Sequence, residues 1–385
     1  MRAGVFSGRR RDVQMRESRP VLVINSGSSS LKFGMFVQAQ DGDESMLLEG
    51  VASGIGHANG TLVLKGAGGK KMHSEAVTFQ SQGEALEAGL GRMKELGLPG
   101  PVAIGHRVVH GGPKLMEHQL ITPAVRKTLE NSVHFAPLHI PASLKLIDAV
   151  EKTYPGMPQY ACFDTTFHRT MPECASHLPL PQGLWDEGVR RYGFHGLSYE
   201  SIVHELGDRL PGRLIVAHLG NGCSVTAIRD GVSVDTSMGL TPTGGVTMAT
   251  RTGDLDPGVL LYMMRVKGMD ADALEALLNH DCGLIGLTGT SGDMREIEEA
   301  AGGGDARAAL ALDVFDRTVA KTIAGYVSVL GGVDLLVFTG GIGEHSERTR
   351  MGICGRLEFL GVEAEVLVSE EELQIARHCR RLERV

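Results

Sequence analysis

The chain reads as an α/β protein in which one device occurs twice, suggesting two similar halves. Three observations predict this. A strand, a turn of small residues and a returning strand occupy Val21–Val37, and the same device recurs about 195 residues later at Leu214–Ile228. A third glycine-rich turn, Thr339–His345, follows a buried strand and leads into a helix. At 385 residues the chain is long enough for two domains or one large composite domain, with a sizeable core in either case. Generic β-hairpins look alike, so two related halves and two unrelated hairpins both stay open on this pattern alone.

In Val21-Leu-Val-Ile24 three of four residues are β-branched, which favours a buried strand. Asn25-Ser-Gly-Ser-Ser-Ser30 then turns without bulk, with Gly27 free to go left-handed and Lys32 supplying a cation. Such a turn can bring backbone N–H groups close to a phosphate, and an ordinary Ser/Gly hairpin has the same pattern. Residues 38–80 alternate polar and apolar and extend the same sheet. Helical spacing over 81–97 ends at Pro99-Gly100-Pro101, after which a strand delivers His106-Arg107-Val-Val-His110-Gly-Gly112. The segment 124–152 reads as helix broken at Ala136-Pro-Leu-His139-Ile-Pro141, and a strand over 158–163 ends at Asp164.

The second half, from about residue 167, holds the turn His218-Leu219-Gly220-Asn221-Gly222 and a hairpin at Asp230-Gly231. Asp256 and Pro257 form an N-cap and first-turn pair for a helix through Lys267. A longer helix runs from near Asp305 to Gly331-Gly332, where glycine can take the left-handed C′ position. Strand, glycine turn and helix N-terminus at 333–345 is a common nucleotide contact and an equally common structural device. The expected domains are an N-terminal extension over 1–19, a first domain over 20–166 joined by a C-terminal helix from about 372 to 385, and a second domain over 167–371.

The composition, 42% hydrophobic and 22% charged, is that of a globular chain, and a net charge of −8 argues against a general nucleic-acid surface. Six scattered cysteines without a CxxC pair, and histidines without HExxH spacing, argue against a zinc site or a disulfide framework and fit a reducing cytoplasm. The Arg-rich first nineteen residues lack an apolar core, so they are not a secretory signal; they read as a disordered tail, with a transit peptide as the alternative and Met15 as an equally good start. No apolar run approaches a membrane span.

Neither G-x-x-x-x-G-K-[ST] nor G-x-G-x-x-G occurs, so a P-loop or Rossmann site is unsupported. Dispersed glycine turns suit a phosphotransferase whose phosphates lie between two α/β halves. The resemblance becomes specific in seven ordered runs: Asn25–Lys32, His106–Gly112, Phe163-Asp164-Thr-Thr-Phe-His168, Arg191-Tyr-Gly-Phe194-His195-Gly196, His218–Gly222, Thr247-Met-Ala-Thr-Arg251-Thr-Gly-Asp254-Leu-Asp-Pro257 and Phe338–Gly343. Together they resemble the signature segments of the acetate kinases, over almost everything after residue 20. The resemblance implies the fold shared by acetate and sugar kinases, Hsp70 and actin: two duplicated ribonuclease-H-like domains flanking a nucleotide cleft. It also implies a homodimer.

Transfer of a phosphoryl group from ATP to a carboxylate joins two anions, so the site must supply cations and aligned donors. By resemblance, Arg107 pairs with the acetate carboxylate, and His195 and Arg251 stabilise the phosphoryl in flight. Asp164 is read as orienting Arg107 and assisting magnesium, because acetate is already ionised at pH 7 and needs no general base. Asn25 and Glu371 resemble the residues that position Mg2+, with Mn2+ as a substitute. Ser369 and Glu372 read as a capping box, leaving Glu371 to face the cleft. Lys32 and His218, Leu219, Gly220, Asn221 and Gly222 would hold phosphates; Asp293, Met294 and Arg295 with Gly341, Ile342, Gly343, Glu344 and His345 would hold ribose and adenine. Val109, Leu138, Phe194 and Pro242 match the pocket for the acetate methyl, and valine at 109 favours acetate over propionate. Ile140, Ser143, His345 and Glu370 depart from asparagines usual in the family. The rival expectations are a propionate or short-chain acyl kinase and, in another class, a nucleotide-driven binding module on the same fold.

Overall fold

The computed structural model describes residues 19–27, 30–38, 44–137 and 139–383. They form two compact units, one running to Thr166 and resuming at Glu370, the other spanning Phe167–Ser369. The boundary expected after Glu371 thus falls after Ser369, which puts Glu371 in the first unit. Arg19, expected at the end of a disordered lead, is ion-paired with Glu383; residues 1–18 of that lead lie outside the described residues.

The first unit is organised on an eight-stranded sheet: β1 (Val21–Ser26), β2 (Ser30–Gln38), β3 (Glu44–Ser53), β4 (Thr61–Gly66), β5 (Lys71–Ala76), β6 (Ala103–Val108), β7 (Gln119–Leu120) and β8 (Gln159–Phe163), in the order β5-β4-β3-β2-β1-β6-β8-β7. β1 is antiparallel to β2 and parallel to β6, which is parallel to β8. Val21–Ile24 are at most 1% exposed because β1 is covered on both faces. The Gln82–Glu95 and Ile140–Thr153 helices pack Leu86, Leu90, Leu146 and Val150 against Leu22, Ile24 and Phe33. On the other face lies the C-terminal helix Glu371–Glu383, admitted by Gly105: a Cβ there would sit 2.5 Å from Ile375 Cγ2. That close approach carries Glu371 and Glu372 to the ends of the central strands.

The second unit has a five-stranded sheet of β9 (Arg213–Leu219), β10 (Cys223–Arg229), β11 (Val232–Thr236), β12 (Leu335–Thr339) and β13 (Glu363–Val366), in the order β11-β10-β9-β12-β13. Its strand order and directions repeat those of β3-β2-β1-β6-β8. The hairpin device seen twice in the sequence is therefore a duplicated topology. The Ala306–Leu330 helix, capped by Asp305 and closed by Gly331 at φ 69°, buries Phe315, Val319 and Ile323. One element differs from expectation: Gly340–His345 is itself a short helix, its first N–H held by Glu344 Oε1 at 3.0 Å, and a second helix, Glu347–Gly355, follows Ser346. No described helix is long and apolar enough to cross a membrane.

Candidate active site

In the first unit, three adjacent strands end on one cluster. The register Ile24↔His106 on β1–β6 and Arg107↔Cys162 on β6–β8 brings Asn25, Arg107 and Asp164 side by side. Arg107 Nε donates to both Asp164 oxygens (2.9 and 3.0 Å), Nη2 to Oδ2 (2.6 Å) and Nη1 to Asn25 Oδ1 (3.0 Å). Asn25 Nδ2 in turn donates to Glu372 Oε1 (2.7 Å) and Glu371 Oε2 (3.3 Å), the latter 3.8 Å from Arg107 Nε. Burial pushes the Asp164 carboxyl up, against the pull of Arg107, and Glu371 adds to the push. Burial also works against the Arg107 charge, but Asp164 and Glu371 outweigh it and hold that pKa above the ordinary arginine value.

Asp164, Glu371 and Glu372 are three carboxylates around one guanidinium. Hard oxygen donors with a surplus of negative charge suit a divalent cation such as Mg2+, so this donor set fits one. The Glu372 carboxylate accepts from Asn25, where a reciprocal cap to Ser369 was expected.

The second unit gathers a different set. His195 precedes the Gly196–Leu206 helix in a left-handed conformation (φ 59°, ψ 24°) that costs a side-chain-bearing residue about 1–2 kcal/mol. Its Nδ1 lies 2.9 Å from Ser224 Oγ, and its ring stacks on His218 with centroids 4.3 Å apart. His218 Nδ1 is 2.8 Å from Ser198 Oγ. The glycine turn faces these groups: the ideal Cβ position at Gly222 is 3.4 Å from His195 Nε2 and 3.5 Å from Arg251 Nη1, so imidazole and guanidinium converge on one spot. At Gly220 the same position is 3.9 Å from both Gly341 N and His218 Nε2. Arg251 Nη1 donates to Pro242 O (3.2 Å), and Ala249 N donates to Asn221 O (3.2 Å), tying the 242–251 loop to the turn.

A bare backbone turn, two imidazoles, an arginine and a helix N-terminus meeting in one unit can bind phosphate oxygens. Comparison with known proteins decides the family. The acetokinase family model matches residues 20–378. The chain belongs to the acetokinase family. It is 43% identical to acetate kinase of Micrococcus luteus over 92% of this chain and 89% of that protein, and 45% identical to acetate kinase of Arthrobacter sp. over 90% and 88%. Among solved structures it matches Porphyromonas gingivalis acetate kinase (TM-score 0.83, 36% identity, 95% of this chain and 100% of that one). It also matches a propionate kinase from Francisella tularensis (TM-score 0.85, 36% identity, 94% and 99%). The fold is that of the acetate and sugar kinases, Hsp70 and actin, and the acetokinases are kinases that act on a carboxylate and use ATP.

Within this acetokinase fold the expected residues distribute as follows. Asn25, Arg107, Asp164 and Glu371 meet in the first unit, where Lys32 is exposed on β2 and Val109 is half-buried just beyond β6. His195, His218, Gly220, Gly222, Arg251 and Gly341 meet in the second, with Asn221 exposed at the turn. Phe194 and Pro242 are also there, both buried; Leu138 lies outside the described residues. Leu219 and Met294 have buried side chains (0% and 5% exposed), which leaves only their backbone to meet a nucleotide. Asp293 caps the Met294–Gly302 helix and pairs with Arg295 at 2.8 Å on the surface. Ile342 is half-buried, Gly343 buried and His345 exposed.

Sequence reasoning missed Glu372, Ser198, Ser224 and Tyr199, and gave His168 no role. Ser224 carried one available signal: with Thr226 it interrupts the apolar face of β10 opposite His218.

Proposed function

We propose that the chain is an acetate kinase, catalysing reversible, Mg2+-dependent, in-line phosphoryl transfer between ATP and acetate to give ADP and acetyl phosphate. The observation that carries this is the state of Arg107. Asp164 takes its Nε/Nη2 edge and Asn25 one Nη1 hydrogen, so among the described residues one N–H on each terminal nitrogen is left. Two N–H donors on one guanidinium can serve the two oxygens of a carboxylate.

In this reading Asp164 locks the guanidinium in place and takes no proton, since acetate arrives ionised. Asn25 and Glu371, with Glu372 beside them, would hold Mg2+, which when bound neutralises charge on the phosphates; Mn2+ suits the same donors. His195 and Arg251 donate to the equatorial oxygens of the phosphoryl. With Tyr199 OH donating to Ser224 Oγ, Ser224 would donate to His195 Nδ1 and leave the proton on Nε2. The His218–Gly222 turn, Asp293–Arg295 and Gly341–His345 would bind the nucleotide, and Lys32 would supply a cation for its phosphates. Val109, by the family resemblance, would meet the methyl group of the acid.

The working form is a cytoplasmic homodimer. The six cysteines are all free, which fits a reducing compartment. The Pro257–Lys267 helix buries no residue and exposes Leu261 (49%), Tyr262 (49%) and Val266 (63%), an apolar face that a second copy would cover. Leu261→Glu should yield monomer in light scattering where the parent chain is dimeric.

Hydroxylamine trapping of acyl phosphate with MgATP and acetate, propionate or butyrate tests the reading. Hydroxamate formed best from acetate supports it. Propionate as the preferred acid would favour the second reading, which the propionate kinase relationship keeps in view. No acyl phosphate from any acid would discard both.

A further inference from the structure

We propose that His168 is a positioning residue for phosphoryl transfer, gripping the backbone at Phe194 so that His195 is presented in its left-handed conformation. The inference rests on the donor role proposed above for His195. His168 is buried, 2% exposed, with Nε2 2.9 Å from the Phe194 carbonyl oxygen and Nδ1 2.9 Å from Ser233 Oγ. A carbonyl only accepts, so Nε2 carries the proton; burial, which pushes the pKa down to about 4, keeps the ring neutral. Nδ1 is then an acceptor, and the fully buried Ser233 hydroxyl on β11 donates to it. The ring therefore links β11 to the peptide immediately before His195.

Packing reinforces the link. Gly193, at φ 75°, lies so close that a Cβ would be 2.6 Å from His168 Cδ2, and the imidazole meets Tyr199 edge-on at 5.6 Å. Tyr199 bonds Ser224, which holds His195 Nδ1. His168 thus braces both the backbone of His195 and the wall behind its side chain. The runs Phe163–His168 and Arg191–Gly196 act as one device.

Two substitutions separate positioning from bulk stability. In His168→Gln the amide nitrogen can occupy the place of Nε2 and donate to Phe194; in His168→Asn it reaches only the place of Nδ1. The asparagine variant should lower kcat about tenfold to a hundredfold while KM for ATP and acetate moves less than about threefold, and the glutamine variant should recover kcat to within about threefold of the parent. Both should melt at similar temperatures. Equal kcat for the two variants, or losses that follow the folded fraction, would overturn the inference. His195→Ala measured alongside keeps the underlying reading separate: if that variant retains kcat, the role of His195 fails first. Nitrogen NMR of the unsubstituted protein supplies a readout independent of folding defects, expecting the Nε2–H form of His168 at pH 7; the Nδ1–H form would contradict it.

Discussion

Replacing Arg107 with alanine strips a buried carboxylate of its only close cation among the described residues. Asp164, 1% exposed, receives three hydrogen bonds of 2.6–3.0 Å from that guanidinium. Removing one partner of such a pair costs about 3–5 kcal/mol, because the penalty is that of an uncompensated buried charge rather than the attraction lost. Burial already raises the Asp164 pKa, and losing Arg107 raises it further. A folded pKa above the unfolded value means stability that is present at low pH and lost as pH rises through the folded pKa. The deficit of Arg107→Ala should therefore narrow as the pH falls from 8 towards 5. Adding Asp164→Asn removes the orphan charge and should recover about 2 kcal/mol or more, a non-additivity readable in a double-mutant cycle. Urea denaturation followed by far-UV circular dichroism is the assay, since the single tryptophan, Trp185, lies in the second unit. A cost below about 1 kcal/mol for Arg107→Ala, with Asp164→Asn simply additive, would refute the reasoning.

Val109→Ala should raise the propionate-to-acetate ratio of kcat/KM by about tenfold, the worth of about one methylene in an apolar pocket; an unchanged ratio would remove Val109 from the pocket. Glu371→Gln should raise the Mg2+ concentration needed for half-maximal rate by about tenfold or more, whereas an unshifted magnesium titration would remove Glu371 from the metal site. Asp316, 1% exposed and bonded to Arg348 at 2.6 Å, is pushed up to about 6 by burial from the usual 3.8. Its contribution to stability is full below pH 3.8 and lost as pH rises through about 6, so Asp316→Asn should gain on the parent by about 1.4 kcal/mol between pH 5 and pH 7.5. Urea midpoints that run parallel over that range would contradict the assignment.

Features set by local backbone chemistry were legible in the sequence. Asp256-Pro257 and the Asp305 to Gly331 span marked their helices because caps and left-handed glycines act within one turn of chain. The pairing of β1 with β6 was not legible, because it joins segments some eighty residues apart and is decided by packing on both faces of the sheet. The Gly340–His345 run looked like a bare turn, since Gly-Gly-Ile-Gly has low helix propensity; Glu344 turning back to the first N–H makes it helical. At the site, Arg107, Asp164, His195 and Arg251 were recognisable by motif. Their partners Glu372, Ser224, Tyr199 and His168 were not, because a polar residue inside an apolar stretch does not reveal which group it will meet.

The central claim is transfer of the γ-phosphoryl of ATP to a carboxylate oxygen of acetate. Phosphorus NMR of a reaction with MgATP and acetate labelled with 18O in both oxygens tests it most directly. The account predicts an acetyl phosphate resonance carrying the isotope shift of a single bridging 18O. ATP consumed to ADP and inorganic phosphate, with no acyl phosphate resonance, would contradict it.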